Sequence, residues 1–144
     1  MNRRSFALGT LFLVACGAGR EEAAAQPTNR CAHCGMHIGS DWLTSGATHA
    51  GHDVQFDTPK CLFAWLAGDG AGASGPWVTE YYGRTHHDIE GLFYVDGSDV
   101  MGPMGADLIP IDGRDRADAF ARDHGGTVLD LAGARARGPA LFHY

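Results

Sequence analysis

The same succession of patterns is written twice along this chain, and that repetition limits the fold more than any single motif. In the first half, residues 41–48 and 53–56 read as short strands around a turn centred on Gly51. Asp57-Thr58-Pro59 follows, a helix start with proline at the first helical position, where an N–H would have no partner anyway. Leu62, Phe63 and Leu66 give an apolar face to a helix ending near Gly68, and a glycine-rich loop over 68–75 leads to a strand at 77–82. In the second half, a strand at 92–95 turns at Asp96-Gly97, and 107–111 alternates as a second strand. Residues 112–124 are helical, with Ala117, Phe120, Ala121 and His124 spaced three and four apart. Gly125-Gly126 stops that helix, and 127–131 closes as a strand. Each half therefore predicts strand, strand, helix, strand. The fold class is α+β, one domain over 31–133 built of two small units at 31–83 and 91–133. The tail, 134–144, has little pattern before Leu141 and Phe142 and is expected to be loosely ordered.

The N-terminus reads as an address. Arg3 and Arg4 precede an apolar stretch from Phe6 to Val14, too short to span a bilayer. That stretch runs directly into Leu13-Val14-Ala15-Cys16, the pattern of a lipoprotein signal covering residues 1–15, with Cys16 as the lipidated residue. An ordinary secretory signal cut after Ala23-Ala24-Ala25 is the alternative, and Arg3-Arg4-Ser5-Phe6 resembles a twin-arginine export signal. Each route places the protein outside the cytoplasm. Residues 16–30, small and polar, read as a flexible tether. Loss of Arg3 and Arg4 moves the formal charge from -6 to -8, which argues against nucleic acid as a partner. About a hundred residues remain, enough to bury one core.

Sulfur is distributed unusually. Apart from Met1, every methionine lies in Cys31-Ala32-His33-Cys34-Gly35-Met36-His37 or in Val100-Met101-Gly102-Pro103-Met104-Gly105. Thiolate and thioether together select monovalent copper over harder ions. Gly35 permits a tight turn that would let Cys34 and Met36 converge, and Pro103 between two glycines stiffens the second cluster. Cys34, Met36, Met101 and Met104 are candidate soft donors, and Cys31 and His37 could add to them. Beyond Cys16 the chain has three cysteines, Cys31, Cys34 and Cys61, an odd number that does not make a disulfide scaffold. Cys61, in the first turn of a helix, reads as a small buried hydrophobe. Cys31-x-x-Cys34 taken alone also suits half a structural zinc site, a redox pair or a simple disulfide. The adjacent His86 and His87 cannot easily both reach one ion.

Several segments, in order, resemble the NosL family of nitrous oxide reductase accessory proteins. They are Cys34-Gly35-Met36, Phe56-Asp57 leading into Cys61-Leu62-Phe63, and Tyr94-Val95-Asp96-Gly97-Ser98 with Pro103-Met104-Gly105. The stretch from Ala117 through Phe120 to Gly125-Gly126-Thr127-Val128-Leu129 continues the likeness, which runs from Cys31 to Leu131. Cys31 and the His86-His87 pair are additions to that pattern. The resemblance implies a treble-clef-like fold akin to a domain of organomercurial lyase. It implies Cu(I) held by Cys34 and Met36 with Met104 as third ligand, in an outer-membrane lipoprotein facing the periplasm. It implies a metallochaperone with no enzymatic activity. Its partner would be a copper-accepting protein, nitrous oxide reductase above all, or an ABC-type transporter complex that assembles it. A thiol-disulfide oxidoreductase using Cys31 and Cys34, and a structural zinc module, are the two rival readings.

Overall fold

The computed structural model describes residues 29–39 and 42–142, so the signal, Cys16 and the tether up to residue 28 lie outside the described residues. Both strand-strand-helix-strand units are present. In the first, β1 (Ser45–His49) and β2 (His52–Phe56) form a hairpin joined by Ala50-Gly51. Both turn residues have positive φ, 49° and 79°, as a two-residue hairpin turn that matches strand twist requires. Thr58 then caps α1 (Pro59–Leu66) with an extended backbone, and Pro59 opens the helix as expected. The third strand, β3 (Ser74–Thr79), starts three residues earlier than the sequence pattern suggests. Its end is set by a long-range contact: Tyr81 turns its N–H to Pro110 O (2.9 Å) in the second unit. A further strand escapes the sequence reading, β4 (His86–Asp88), which pairs with β3 and completes a sheet of order β2-β1-β3-β4.

The second unit repeats the arrangement. Strands β5 (Leu92–Asp96), β6 (Leu108–Asp112) and β7 (Thr127–Leu129) form a sheet of order β6-β5-β7, with α2 (Arg114–His124) between β6 and β7. In both units the first strand is central and the next two flank it. Asp96-Gly97 is not a two-residue hairpin turn. Gly97 does adopt φ of +77°, but β5 and β6 are joined by the longer loop 97–107, which carries Met101 and Met104. Pro110 sits in edge strand β6, where a missing N–H is tolerated and its carbonyl serves Tyr81.

The stretch expected to be loosely ordered is helical. Asp130 caps α3 (Leu131–Ala140), its side chain accepting the Gly133 N–H at 2.8 Å. Glycines and Pro139 give this segment little intrinsic helical preference; packing against α1 supplies what propensity lacks. A Cβ at Gly138 would lie 2.5 Å from Phe63 Cβ, so the two helices meet only because that position is glycine. After α3, the Phe142 ring sits 4.9 Å from that of His33 and 5.5 Å from Lys60 Nζ.

Alternation along β5 divides the interior. Leu92 and Tyr94 join a core with Phe56, Leu62, Phe63, Val78 and Ala134, under α1 and α3. Phe93 and Val95 face the other way, toward Ile109, Ile111, Ala117 and Phe120 beneath α2. Among the described residues no helix is long and apolar enough to cross a membrane.

Candidate metal centre

Residues 29–38 fold into a knuckle held by its own backbone. Cys31 N–H donates to Met36 O (2.8 Å), Gly35 N–H to Cys31 O (2.9 Å) and Ile38 N–H to Asn29 O (3.0 Å). Gly35 makes the turn at φ +75°, a conformation costly for any residue with a Cβ. The knuckle docks on β2 through Ala32 N–H to Gln55 O (2.9 Å). Asp57 and Cys61 follow β2 directly. One lies just before the helix cap and the other four residues on, so both face the knuckle.

The outcome is a cluster. Sulfur atoms of Cys31, Cys34 and Cys61 and a carboxylate oxygen of Asp57 all lie within 4.8 Å of one another. Cys34 Sγ is 3.6 Å from each Asp57 oxygen. Cys31, Cys61 and Asp57 are buried and Cys34 is half-buried. All three cysteines carry free thiols.

Their acidities diverge. A hydrogen bond from Cys61 is the main cause pulling Cys31 down to about 6; burial opposes it, and the backbone N–H groups of Cys34 and Asp57 assist. Cys61, as the donor to Cys31 and itself buried, is pushed upward. Burial drives Cys34 up to about 11, helped by the neighbouring Cys31 and Asp57 and opposed by the Met36 N–H. A metal binding to all three must displace protons, above all from Cys34 and Cys61, whose thiols are pushed upward.

The remaining predicted donors differ in exposure, and among the described residues no histidine joins the cluster. Met36 is 39% exposed on the knuckle and Met101 is 54% exposed on the 97–107 loop. Met104 is partly buried against the first core, as is Cys34. His37 is exposed and bonded to Asn29 (Nδ2 to Nε2, 3.2 Å), and His33 packs on Phe142. His86 stacks on Trp77 at 3.8 Å while His87 bonds Thr85, so the pair is committed elsewhere.

The Met104 loop is tied to the helix that carries Cys61. Gly102 and Gly105 exchange backbone hydrogen bonds of 2.8 and 3.1 Å around Pro103-Met104. Buried Lys60 donates from Nζ to Met104 O (3.1 Å) and Ala106 O (2.8 Å), and from its backbone N–H to Asp107 Oδ1 (3.1 Å). Met104 and Lys60 also line an open cavity of about 310 Å³ against the end of α3.

Asp57 and Cys61 were missed as donors by the sequence reading. The signal that could have found them is their spacing, an acid and a thiol four apart across a helix start, matched to Cys31-x-x-Cys34.

Known proteins support this architecture. A crystal structure of the copper chaperone NosL from Shewanella denitrificans matches with a TM-score of 0.65 and 20% sequence identity, over 76% of this chain and 91% of that one. At that identity the likeness speaks for the fold. Comparison with curated proteins gives no match. The NosL sequence family matches residues 22–135, a span that holds both units, the knuckle and the Met104 loop, and the chain belongs to that family.

Proposed function

We propose that this protein is a Cu(I) carrier rather than an enzyme. It would be lipid-anchored through Cys16 on the periplasmic side of a bacterial membrane, in the outer membrane. Its cargo would pass to a copper-accepting protein, nitrous oxide reductase or the transporter complex that assembles it. The observation that carries this reading is soft sulfur at graded depth: Cys31 and Cys61 are buried, Cys34 and Met104 half-buried, and Met36 and Met101 exposed. Soft donors suit Cu(I), and a carrier needs some of them within reach of an acceptor's ligands. Cys34 would anchor the ion, with Met36 beside it and Met104 brought in by the loop that Lys60 holds; Cys31, Met101 and His37 are secondary donors. Membership of the NosL family, and the copper chaperone of similar fold, support the same reading.

Thiol-disulfide exchange fits less well. Cys34 is the more accessible of the pair, yet its thiol is pushed up to about 11, whereas an attacking thiol works best near ambient pH.

The test is an anaerobic Cu(I) competition titration of the reduced full chain in detergent, beside Cys34→Ser and Met104→Ala. One ion per chain, most affinity lost in Cys34→Ser and a smaller loss in Met104→Ala are expected. Affinity should also fall as pH falls, because Cys34 must surrender a proton to bind. Weak binding by the unmodified chain, or indifference to both substitutions, would remove the carrier reading.

A further inference from the structure

The lysine of α1 is buried without an anion on its ammonium. Lys60 is 1% exposed, and Nζ donates to two neutral carbonyls, Met104 O (3.1 Å) and Ala106 O (2.8 Å). An ammonium has three N–H donors, so one is left over. Among the described residues that donor has no oxygen acceptor, and the Phe142 ring lies 5.5 Å away. Asp107 is within electrostatic reach, yet its Oδ1 takes the backbone N–H groups of Lys60 and Leu108, not the ammonium. Burying a cation on such terms is costly.

The same lysine lines the open cavity of about 310 Å³ together with Met104, Ala106, Arg137, Ala140 and Leu141. Both carbonyls that hold the ammonium belong to residues of that wall. Arg137 donates from Nε to Asp96 Oδ2 (2.7 Å), and among the described residues its terminal nitrogens have no acceptor. Two cations thus share the wall and one carboxylate answers them, which leaves one positive charge in excess. We propose that this cavity binds one carboxylate, held by the spare N–H of Lys60 and the terminal nitrogens of Arg137. A monoanion balances the excess, whereas a dianion such as phosphate would overshoot it. Planar oxygens suit a guanidinium, and Met104, Ala140 and Leu141 give apolar walls to a short carbon stem. The volume is at the low end for ligand pockets, so it suits a side chain or a small acid, not a large cofactor. Its use rests on the carrier reading: a carboxylate seated here touches the loop that holds Met104, so an acidic side chain of the acceptor would dock beside a donor it must replace.

The probes are acetate, a blocked Ala-Glu-Ala peptide and its Ala-Gln-Ala counterpart. Each is titrated into the reduced, metal-free full chain in detergent and followed by the backbone amide NMR shifts of Gly105, Ala106 and Leu141. Saturable shifts are expected with acetate and the glutamate peptide, and none with the glutamine peptide. Arg137→Gln should weaken binding by about fivefold and Lys60→Met by about tenfold or more. Arg114→Gln, which removes an exposed arginine paired with Asp118 on α2, should leave it unchanged. Lys60→Met also strips the loop of two hydrogen bonds, so Arg137→Gln decides the matter if that variant does not fold. Tighter binding of the glutamate peptide than of acetate identifies an acidic side chain as the occupant; equal binding identifies a small free acid. The proposal is overturned if no carboxylate gives a saturable shift, if the glutamine peptide binds as well as the glutamate one, or if Arg137→Gln binds like the unmodified chain. Carboxylate binding by a chain that takes up no Cu(I) would sink the carrier reading and leave this site standing; Cu(I) uptake without carboxylate binding would do the reverse.

Discussion

The two units share a strand-strand-helix-strand topology, and the start of the helix shows where their chemistry parts. Counting from the cap, the third helical residue is Cys61 in α1 and Arg116 in α2, and the residue before the cap is Asp57 in one and Asp112 in the other. Cys61 and Asp57 are buried; Asp112 and Arg116 face solvent, with Arg116 Nη1 3.4 Å from Asp112 O. The difference lies upstream. The first unit is preceded by the knuckle, which hydrogen-bonds to β2 and brings two thiols over the helix start. The second is entered from β4 through 89–91, and its helix start is met instead by a loop that offers no thiol: Glu80 accepts the Asp112 N–H (3.3 Å), and Arg116 lies over the Tyr82 ring. A duplicated scaffold thus supplies the position, and about ten residues of backbone-braced loop supply the chemistry.

The sharpest way to break this division is to damage the second unit and watch the first. Phe120 is fully buried beneath α2, and Phe120→Ala should cost about 3–5 kcal/mol in urea unfolding while leaving metal stoichiometry untouched. A lost metal site in a variant that still folds would mean that the second unit shapes the donors. A smaller effect probes the joint between units. Asp107 begins the β6 side but receives the Lys60 N–H from α1, and burial pushes its carboxyl up to about 6. Below about pH 4 folded and unfolded chains both hold this proton. Between pH 4 and 6 the unfolded chain releases it first, so stability falls as pH rises, by on the order of 3 kcal/mol once above 6. Asp107→Asn, which stays neutral, should therefore gain stability relative to the parent across that window when both are unfolded at several pH values. A constant gap would show that the joint is not as dry as its burial indicates. Least of all should change with Arg116→Ser. Arg116 lies 4.0 Å from buried Glu80, so stability should fall by about 1 kcal/mol, with metal affinity unchanged.

Much of this was written in local sequence. The order of elements in both units could be read because each rests on nearby signals: Ala50-Gly51 at a hairpin, Thr58-Pro59 at a helix start, Gly125-Gly126 at a helix end. The parts that could not be read depend on distant partners. Helix α3 contains Gly133, Gly138 and Pro139, and it is helical because Gly138 lets it lie against Phe63. Strand β4 is three residues long and exists as an edge to β3. The same holds for the site. Cys31, Cys34, Met36 and Met104 stood out through sulfur and glycine, whereas Asp57 and Cys61 look like an ordinary helix start until the knuckle is folded back onto it.

Helix α3 belongs by sequence to the second unit, yet it packs on α1, and Phe142 closes beside His33 and Lys60. Synthesis runs from the N-terminus, so every cysteine of the cluster leaves the ribosome well before the segment that finishes the packing around it. The first unit is therefore finished by the last residues of the second, with Gly138 against Phe63 and Phe142 beside His33 and Lys60.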